Sequence, residues 1–278
     1  ERRQERMDNY FLFEVSPIIF RTVIPVIGFP IELRYYGIFF ALTILGSYFL
    51  WRWQMNRAGY GAREIDTWFL IGIVSLIAGA HLGHVVFYNW SYYMAHPLEI
   101  IIFKGRGLSS HGATIGVMAG MLIYSRIFKI PALEVFDANT FSAGLAATLV
   151  RLGNFFNHEI AGRVTTLPWA VRFKYYVDQG AEPRHPSQLY EVGLGLIVLI
   201  VLFLVDRHYG DRRPKGILTG TFAVVYFSGR FFVEFFKEFQ RLDPHKSFLT
   251  MGQYLSIPFI LAGMIILYYA LRQGRQTS

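Results

Sequence analysis

The chain has no cysteine among its 278 residues, which excludes disulfides, a thiolate nucleophile and zinc–thiolate sites within it. This leaves the redox compartment open, because a cysteine-free chain fits either side of a membrane. Charge is scarce as well: 17% of the residues are Asp, Glu, Lys or Arg, against about a quarter in an ordinary soluble domain. Acidic residues are the scarcer sign, 19 against 27 basic ones, for a net charge of +8. A basic balance can serve nucleic acid, yet a soluble basic domain does not carry 53% hydrophobic residues. Anionic lipid is the better partner for so apolar a basic chain, and no nucleic-acid partner is expected. Repeats, low-complexity tracts and a convincing cleavable signal peptide are also missing. The stretch to test for a signal, Ile18–Pro30, is broken by Arg21, Pro25 and Pro30 and reads as an interfacial entry segment, not a span. If Met7 is the natural start, residues 1–6 lie upstream of it and carry no fold information.

What the chain does have is long apolar runs. Crossing roughly 30 Å of hydrocarbon takes about 20 mostly apolar residues. Seven stretches qualify: Tyr35–Trp53, Ile65–Trp90, His111–Phe128, Val135–Leu152, Leu189–Val205, Leu218–Phe236 and Tyr254–Leu271. Trp51, Trp53, Trp90, Tyr92, Tyr93, Tyr268 and Tyr269 gather at their ends, as interfacial belts do. Gly79 with Ala80, Gly116 with Gly120, and Gly193 with Gly195 are small residues that allow helices to approach closely. The expected fold is an all-α polytopic bundle of about seven transmembrane helices, forming one integral membrane domain. Residues 154–188 form a small head inserted between the fourth and fifth spans, in which Trp169–Val177 alternates enough for a short strand. Basic residues fall on both sides of the predicted bundle. The densest short basic loop, Asp206–Gly216, favours its side as cytoplasmic, which puts the N-terminus outside and the C-terminus inside.

Polar side chains within or beside spans carry the chemical information. An Arg at a helix centre costs about 2.5–3.5 kcal/mol on insertion scales and so faces a bundle cavity. Arg151 closes one apolar run and Arg230 interrupts another. Tyr226, Arg230 and Glu234 follow an i, i+4, i+8 spacing that lays them on one helical stripe. The plainer reading of that stripe is an Arg–Glu pair neutralising itself inside the bundle, and the two readings weigh about equally. RLGNFFNHEIAGR (Arg151–Arg163) gathers two Arg and two Asn with a Glu around a helix end. The planar fork of an arginine suits phosphate, whereas capping accounts for only one of the Asn residues. GRGLSSHGATIG (Gly105–Gly116) leads into a span with His111 at its mouth. Backbone N–H groups there suit phosphate and the imidazole suits proton transfer, although a lone interfacial His is more often a hydrogen-bonding group. RHPSQLYE (Arg184–Glu191) opens the fifth span at Pro186 or Ser187, with Gln188 and Glu191 in its first turn.

Taken together, and in this order, these pieces resemble the prolipoprotein diacylglyceryl transferase family. LRYYG around Tyr36, GLSSHGATIG, RLGNFFNHEIAGR, RHPSQLYE, the Tyr226–Arg230–Glu234 stripe and MGQYLSIP (Met251–Pro258) carry the resemblance, which runs from about Leu12 to Leu271. It implies functional positions at Tyr36, His111, Arg151, Asn154, Glu159, Gly162, Tyr226, Arg230 and Glu234. It also implies seven spans, an external N-terminus and a head on the outer face. The chain departs from the family pattern at His81, His84, Arg106, Ala113 and His158. These are positions where lipid fit or pH dependence is open to change.

The reaction implied by the resemblance is alkylation of sulfur. The lipobox cysteine of a prolipoprotein signal peptide attacks the glycerol carbon of phosphatidylglycerol that bears the phosphodiester, and glycerol 1-phosphate leaves. Arg151 and Arg230 are the candidates for holding the phosphate charge. His111 is the candidate base for a thiol of pKa about 8.5, with Arg-assisted thiolate formation as the alternative. Tyr36, Asn154, Glu159, Gly162, Tyr226 and Glu234 are expected to bind substrate. No metal or other cofactor is expected. The expected location is the bacterial inner membrane. A phospholipid transporter using the same arginines is the rival from another class, but it calls for repeated halves with broken helices. An intramembrane protease needs paired Asp residues, and Asp137 has no counterpart deep in another predicted span.

Overall fold

The computed structural model describes residues 10–24, 29–101, 107–238 and 248–276. Residues 1–6, Met7 and Arg106 lie outside them, so the expectations placed there stand as sequence readings.

Each of the seven apolar runs falls on a helix. These are α1 (Tyr35–Arg57), α2 (Ala62–Tyr88), α5 (Ser110–Phe128), α6 (Ala132–Phe156), α7 (Ser187–Tyr209), α8 (Ile217–Val233) and α9 (Met251–Gln276), with short helices α3 (Trp90–Ala95) and α4 (Leu98–Ile101) after α2. Four of them, α2, α7, α8 and α9, are long and apolar enough to cross a membrane. Their outward positions include Leu70, Val74, Ile200, Leu204, Leu261 and Ile265, all exposed. Water penalises such a surface and lipid does not, while the helix satisfies its own backbone groups.

The described residues are mostly helical, as expected, and add four short strands. β1 (Phe11–Phe13) pairs in parallel with β4 (Val171–Phe173), which is the strand expected within Trp169–Val177. β2 (Ile18–Ile24) and β3 (Phe29–Arg34) form an antiparallel pair where the sequence reads as an interfacial entry segment. The β-branched run of β2 explains the difference. Pro30 is tolerated opposite Val23 because a two-stranded sheet consists of edges only.

The chain divides into two compact units, residues 51–138 and residues 1–50 with 139–278. In the first, glycine sets the packing of α2 on α5. A Cβ on Gly79 would sit 2.5 Å from the Gly112 carbonyl oxygen and 2.6 Å from the Gly116 Cα, so backbone meets backbone. Trp51, Trp68 and Tyr124 pack together below, with ring centroids 5.4–5.6 Å apart. In the second unit, Phe141, Leu194, Val198, Leu202, Ile217, Leu218 and Ala270 form the core of α6–α9. Gly195 allows α7 to close on Thr148, whereas Gly193 has nothing within 4 Å and is not the packing residue its spacing predicts. A separate core of Phe13, Phe155, Ala161, Val171 and Phe173 joins β1 to the segment after α6.

Candidate active site

The centre of the site is a carboxylate in the first turns of α7. Glu191 is almost wholly buried, and three cations surround it. Arg151 Nε, near the end of α6, lies 3.0 Å from Oε2. Arg230 of α8 and Lys237 just beyond it each approach Oε1 at 3.0 Å. Glu234 is the second carboxylate, 3.3 Å from Lys237 Nζ and 3.4 Å from Arg230. It also accepts a hydrogen bond from Thr250 Oγ1 at 3.1 Å. A Cβ on Gly252 would collide with this carboxyl, so a glycine at the start of α9 makes room for it. Three cations against two carboxylates leave one positive charge in excess (3 − 2 = +1) among these directly paired groups.

The charges differ in depth. The side chains of Glu191 and Lys237 are 4% and 5% exposed, whereas those of Arg151 and Arg230 are 18% and 20% exposed. The arginines therefore form the accessible side of the cluster. Around them lie several of the residues singled out in the sequence. Arg151 donates to Asn154 Oδ1 at 3.3 Å, and Asn154 Nδ2 donates to Glu159 Oε2 at 3.3 Å. Asn157 holds the other oxygen of Glu159 at 2.6 Å. Tyr36, in the first turn of α1, is close enough to Glu159 and Arg151 to feel both charges. Tyr226 lies one turn before Arg230 and close enough to act on its guanidinium, so the i, i+4, i+8 stripe holds although α8 tightens to a 3-10 turn at Glu234–Phe236. The structure thus gathers Tyr36, Arg151, Asn154, Glu159, Tyr226, Arg230 and Glu234 in one unit. The self-neutralising Arg–Glu pair is present too, but as part of a larger cluster in which Arg151, Arg230 and Lys237 share the buried Glu191.

Gly162 is near this site in a different capacity. A Cβ there would meet the Phe236 carbonyl oxygen and lie 2.7 Å from His185 Cβ. The missing side chain allows the Arg163 N–H to donate to the Phe236 oxygen at 2.9 Å and Arg163 Nε to the Lys237 oxygen at 2.6 Å. Gln188 and Ser187, read from sequence as a helix start, hold the same loop. They donate to the carbonyl oxygens of Glu159 at 2.7 Å and Ile160 at 3.0 Å.

His111 belongs to the other unit. It is exposed in the first turn of α5, where the Ser109 hydroxyl caps the helix by accepting from the Gly112 N–H at 3.2 Å. In that unit His81 Nε2 meets the Ile100 carbonyl oxygen at 3.0 Å and His84 Nε2 meets Asn89 at 2.9 Å. His158 faces the aromatic core beside β1, not a lipid surface. Its Nε2–H donates to the Val15 oxygen at 2.8 Å and its Nδ1 accepts from the Tyr175 N–H at 3.4 Å, which fixes a neutral ring.

Two members of the charge cluster escaped the sequence reading. In the sequence Glu191 reads only as a first-turn residue, and Lys237 stands outside the motifs. The signal for Lys237 was available, since i+7 from Arg230 continues the stripe that Tyr226 begins.

A family model described as prolipoprotein diacylglyceryl transferase matches residues 22–269. A protein of Chloroherpeton thalassium named phosphatidylglycerol--prolipoprotein diacylglyceryl transferase is 37% identical over 268 residues, covering 96% of this chain and 97% of its own length. Proteins of the same name from Bacteroides fragilis and Nitrosospira multiformis are 34% and 39% identical, over 87% and 90% of this chain and 90% and 86% of theirs.

Proposed function

The chain belongs to the prolipoprotein diacylglyceryl transferase family, and on that premise we propose that it moves an intact diacylglyceryl group from phosphatidylglycerol to a lipobox cysteine. The sulfur of the signal-peptide cysteine forms a thioether bond to the glycerol carbon, and the C–O bond to the phosphodiester breaks. The electron pair goes to the phosphate oxygen, and glycerol 1-phosphate leaves carrying the proton that the thiol gave up. The observation that carries this reading is the pair of arginines, Arg151 and Arg230, on the less buried side of a cluster whose lysine lies behind them, a placement that suits a phosphodiester anion. Arg151 and Arg230, the less deeply buried cations, bind the phosphate and stabilise the charge that grows on its leaving oxygen. Asn154 and Glu159 orient Arg151, Tyr226 and Glu234 orient Arg230, and Tyr36 borders the lipid. Gly162 serves by letting two backbones meet, not by touching lipid.

His111 is the base for the thiol in this reading, supported by its place in the family motif GLSSHGATIG. All seven long helices cross the bacterial inner membrane, with the N-terminus and the head of residues 154–188 outside and the C-terminus in the cytoplasm. Purified protein, phosphatidylglycerol and a lipobox peptide are the test. Mass spectrometry should show the peptide gaining one diacylglyceryl mass while glycerol phosphate is released in equal amount. An unmodified peptide at saturating lipid would reject the reading.

A further inference from the structure

Lys237 has no place in the roles above, yet it is as deeply buried as the carboxylate it faces. Its ammonium touches Glu191 at 3.0 Å and Glu234 at 3.3 Å, and no other carboxylate among the described residues. Its backbone is fixed as firmly as its side chain. Arg163 Nε donates to its carbonyl oxygen, its N–H donates to the Glu234 oxygen at 3.1 Å, and its strand bridge is to Gly162. Arg151 and Arg230 share Glu191 with it from the accessible side. An arginine that turns toward an arriving phosphate must loosen its hold on Glu191. A buried carboxylate left without a partner costs several kcal/mol, so the exchange needs a cation that stays behind.

We propose that Lys237 is that cation: a positioning residue that holds Glu191 and Glu234 ionised and paired from behind, so that Arg151 and Arg230 are released to the lipid phosphate. Gly162 and Arg163 belong to the same device, because the close approach they permit sets the ammonium at the back of the cluster. Charge counting makes the role specific. Lys237→Met removes one positive charge from the cluster, and Glu191 then competes with phosphate for both arginines. Adding Glu191→Gln removes one negative charge and restores the wild-type balance.

The inference rests on the proposed transfer from phosphatidylglycerol, and the experiment separates the two. Wild type, K237M, K237R and the double variant E191Q/K237M are reconstituted, and KM for phosphatidylglycerol, KM for the lipobox peptide and kcat are measured. Thermal stabilisation by phosphatidylglycerol over phosphatidylcholine is read in parallel. K237M should raise KM for phosphatidylglycerol about tenfold or more, the order expected when one close charge is removed. The peptide KM should be unchanged, and the preferential stabilisation by phosphatidylglycerol should be lost. K237R and the double variant should return KM for phosphatidylglycerol to within about threefold of wild type. A K237M protein with an unchanged KM for phosphatidylglycerol overturns the proposal. So does a loss confined to kcat, a loss shared equally by both substrates, or a double variant no better than K237M. Wild-type protein without transfer would sink the parent reading alone, and the stabilisation by anionic lipid would still decide the role of Lys237.

Discussion

Glu191 is shared by three cations, and the two that reach the open side are the arginines assigned to phosphate. Replacing either one by Ala should abolish transfer, to less than about 1% of wild type, in line with the loss of a preorganised charge at a developing oxyanion. Arg151→Lys and Arg230→Lys should recover little of it, because a point charge lacks the bidentate fork. Near-full activity in either Ala variant would remove the assignment. His111→Gln should slow transfer strongly at neutral pH, and raising the pH toward the thiol's own pKa of about 8.5 should restore part of the rate. An equal defect at every pH would make His111 a substrate-positioning group. His158 carries a prediction about stability instead. Burial holds its pKa below the ordinary imidazole value, outweighing the hydrogen bond to Val15 that favours the charged ring. The unfolded chain therefore takes up a proton near pH 6.5 that the folded chain refuses. The stability due to this group is present above that pH and is lost as pH falls toward the folded value. Wild type should lose more thermal stability between pH 7 and pH 5 than His158→Gln does, and parallel curves would show that the ring titrates freely. The arginines and the Tyr226 stripe were legible in the sequence because a charge inside an apolar run is conspicuous. Glu191 was not, since a glutamate in a helix's first turn looks like an ordinary N-terminal residue.

The element that depends most on a single residue type is the α2–α5 pair, where Gly79 meets Gly112 and Gly116 with no space for a side chain. Gly79→Val should force the helices apart and cost about 1–3 kcal/mol, as overpacking does. Gly193→Ala, with open space around it, should be neutral within about 0.5 kcal/mol. Unfolding monitored in detergent separates the two, and equal effects would contradict the packing described here. All seven long helices were legible from apolar runs with edges correct to a few residues, because twenty apolar residues leave the backbone few alternatives. The strands were less so. β4 could be read from its alternation, but its partner β1 is three residues long and more than 150 residues away, a pairing that no local pattern announces. The β2–β3 pair is hard to read because Pro30 breaks a span as surely as it permits an edge strand, while Pro25 lies outside the described residues.

In the unit of residues 1–50 and 139–278 the charge cluster lies among helices α7, α8 and α9, of which α7 and α9 expose apolar residues such as Ile200, Leu204, Leu261 and Ile265. An enzyme that transfers a single acyl chain attacks an ester carbonyl, usually through a nucleophile and an oxyanion hole. This chain lacks cysteine, and Ser109 and Ser110 stand in no nucleophile-elbow pattern. Its paired arginines suit a phosphate leaving group instead. The direct measurement is therefore the fate of phosphatidylglycerol carrying a carbon label in its acylated glycerol. The account predicts that the label reaches the peptide cysteine in a hydroxylamine-resistant thioether, with both chains from one lipid and an equal amount of glycerol phosphate released. A peptide bearing one hydroxylamine-sensitive acyl chain, with unlabelled peptide carbon and lysophospholipid left behind, would contradict it.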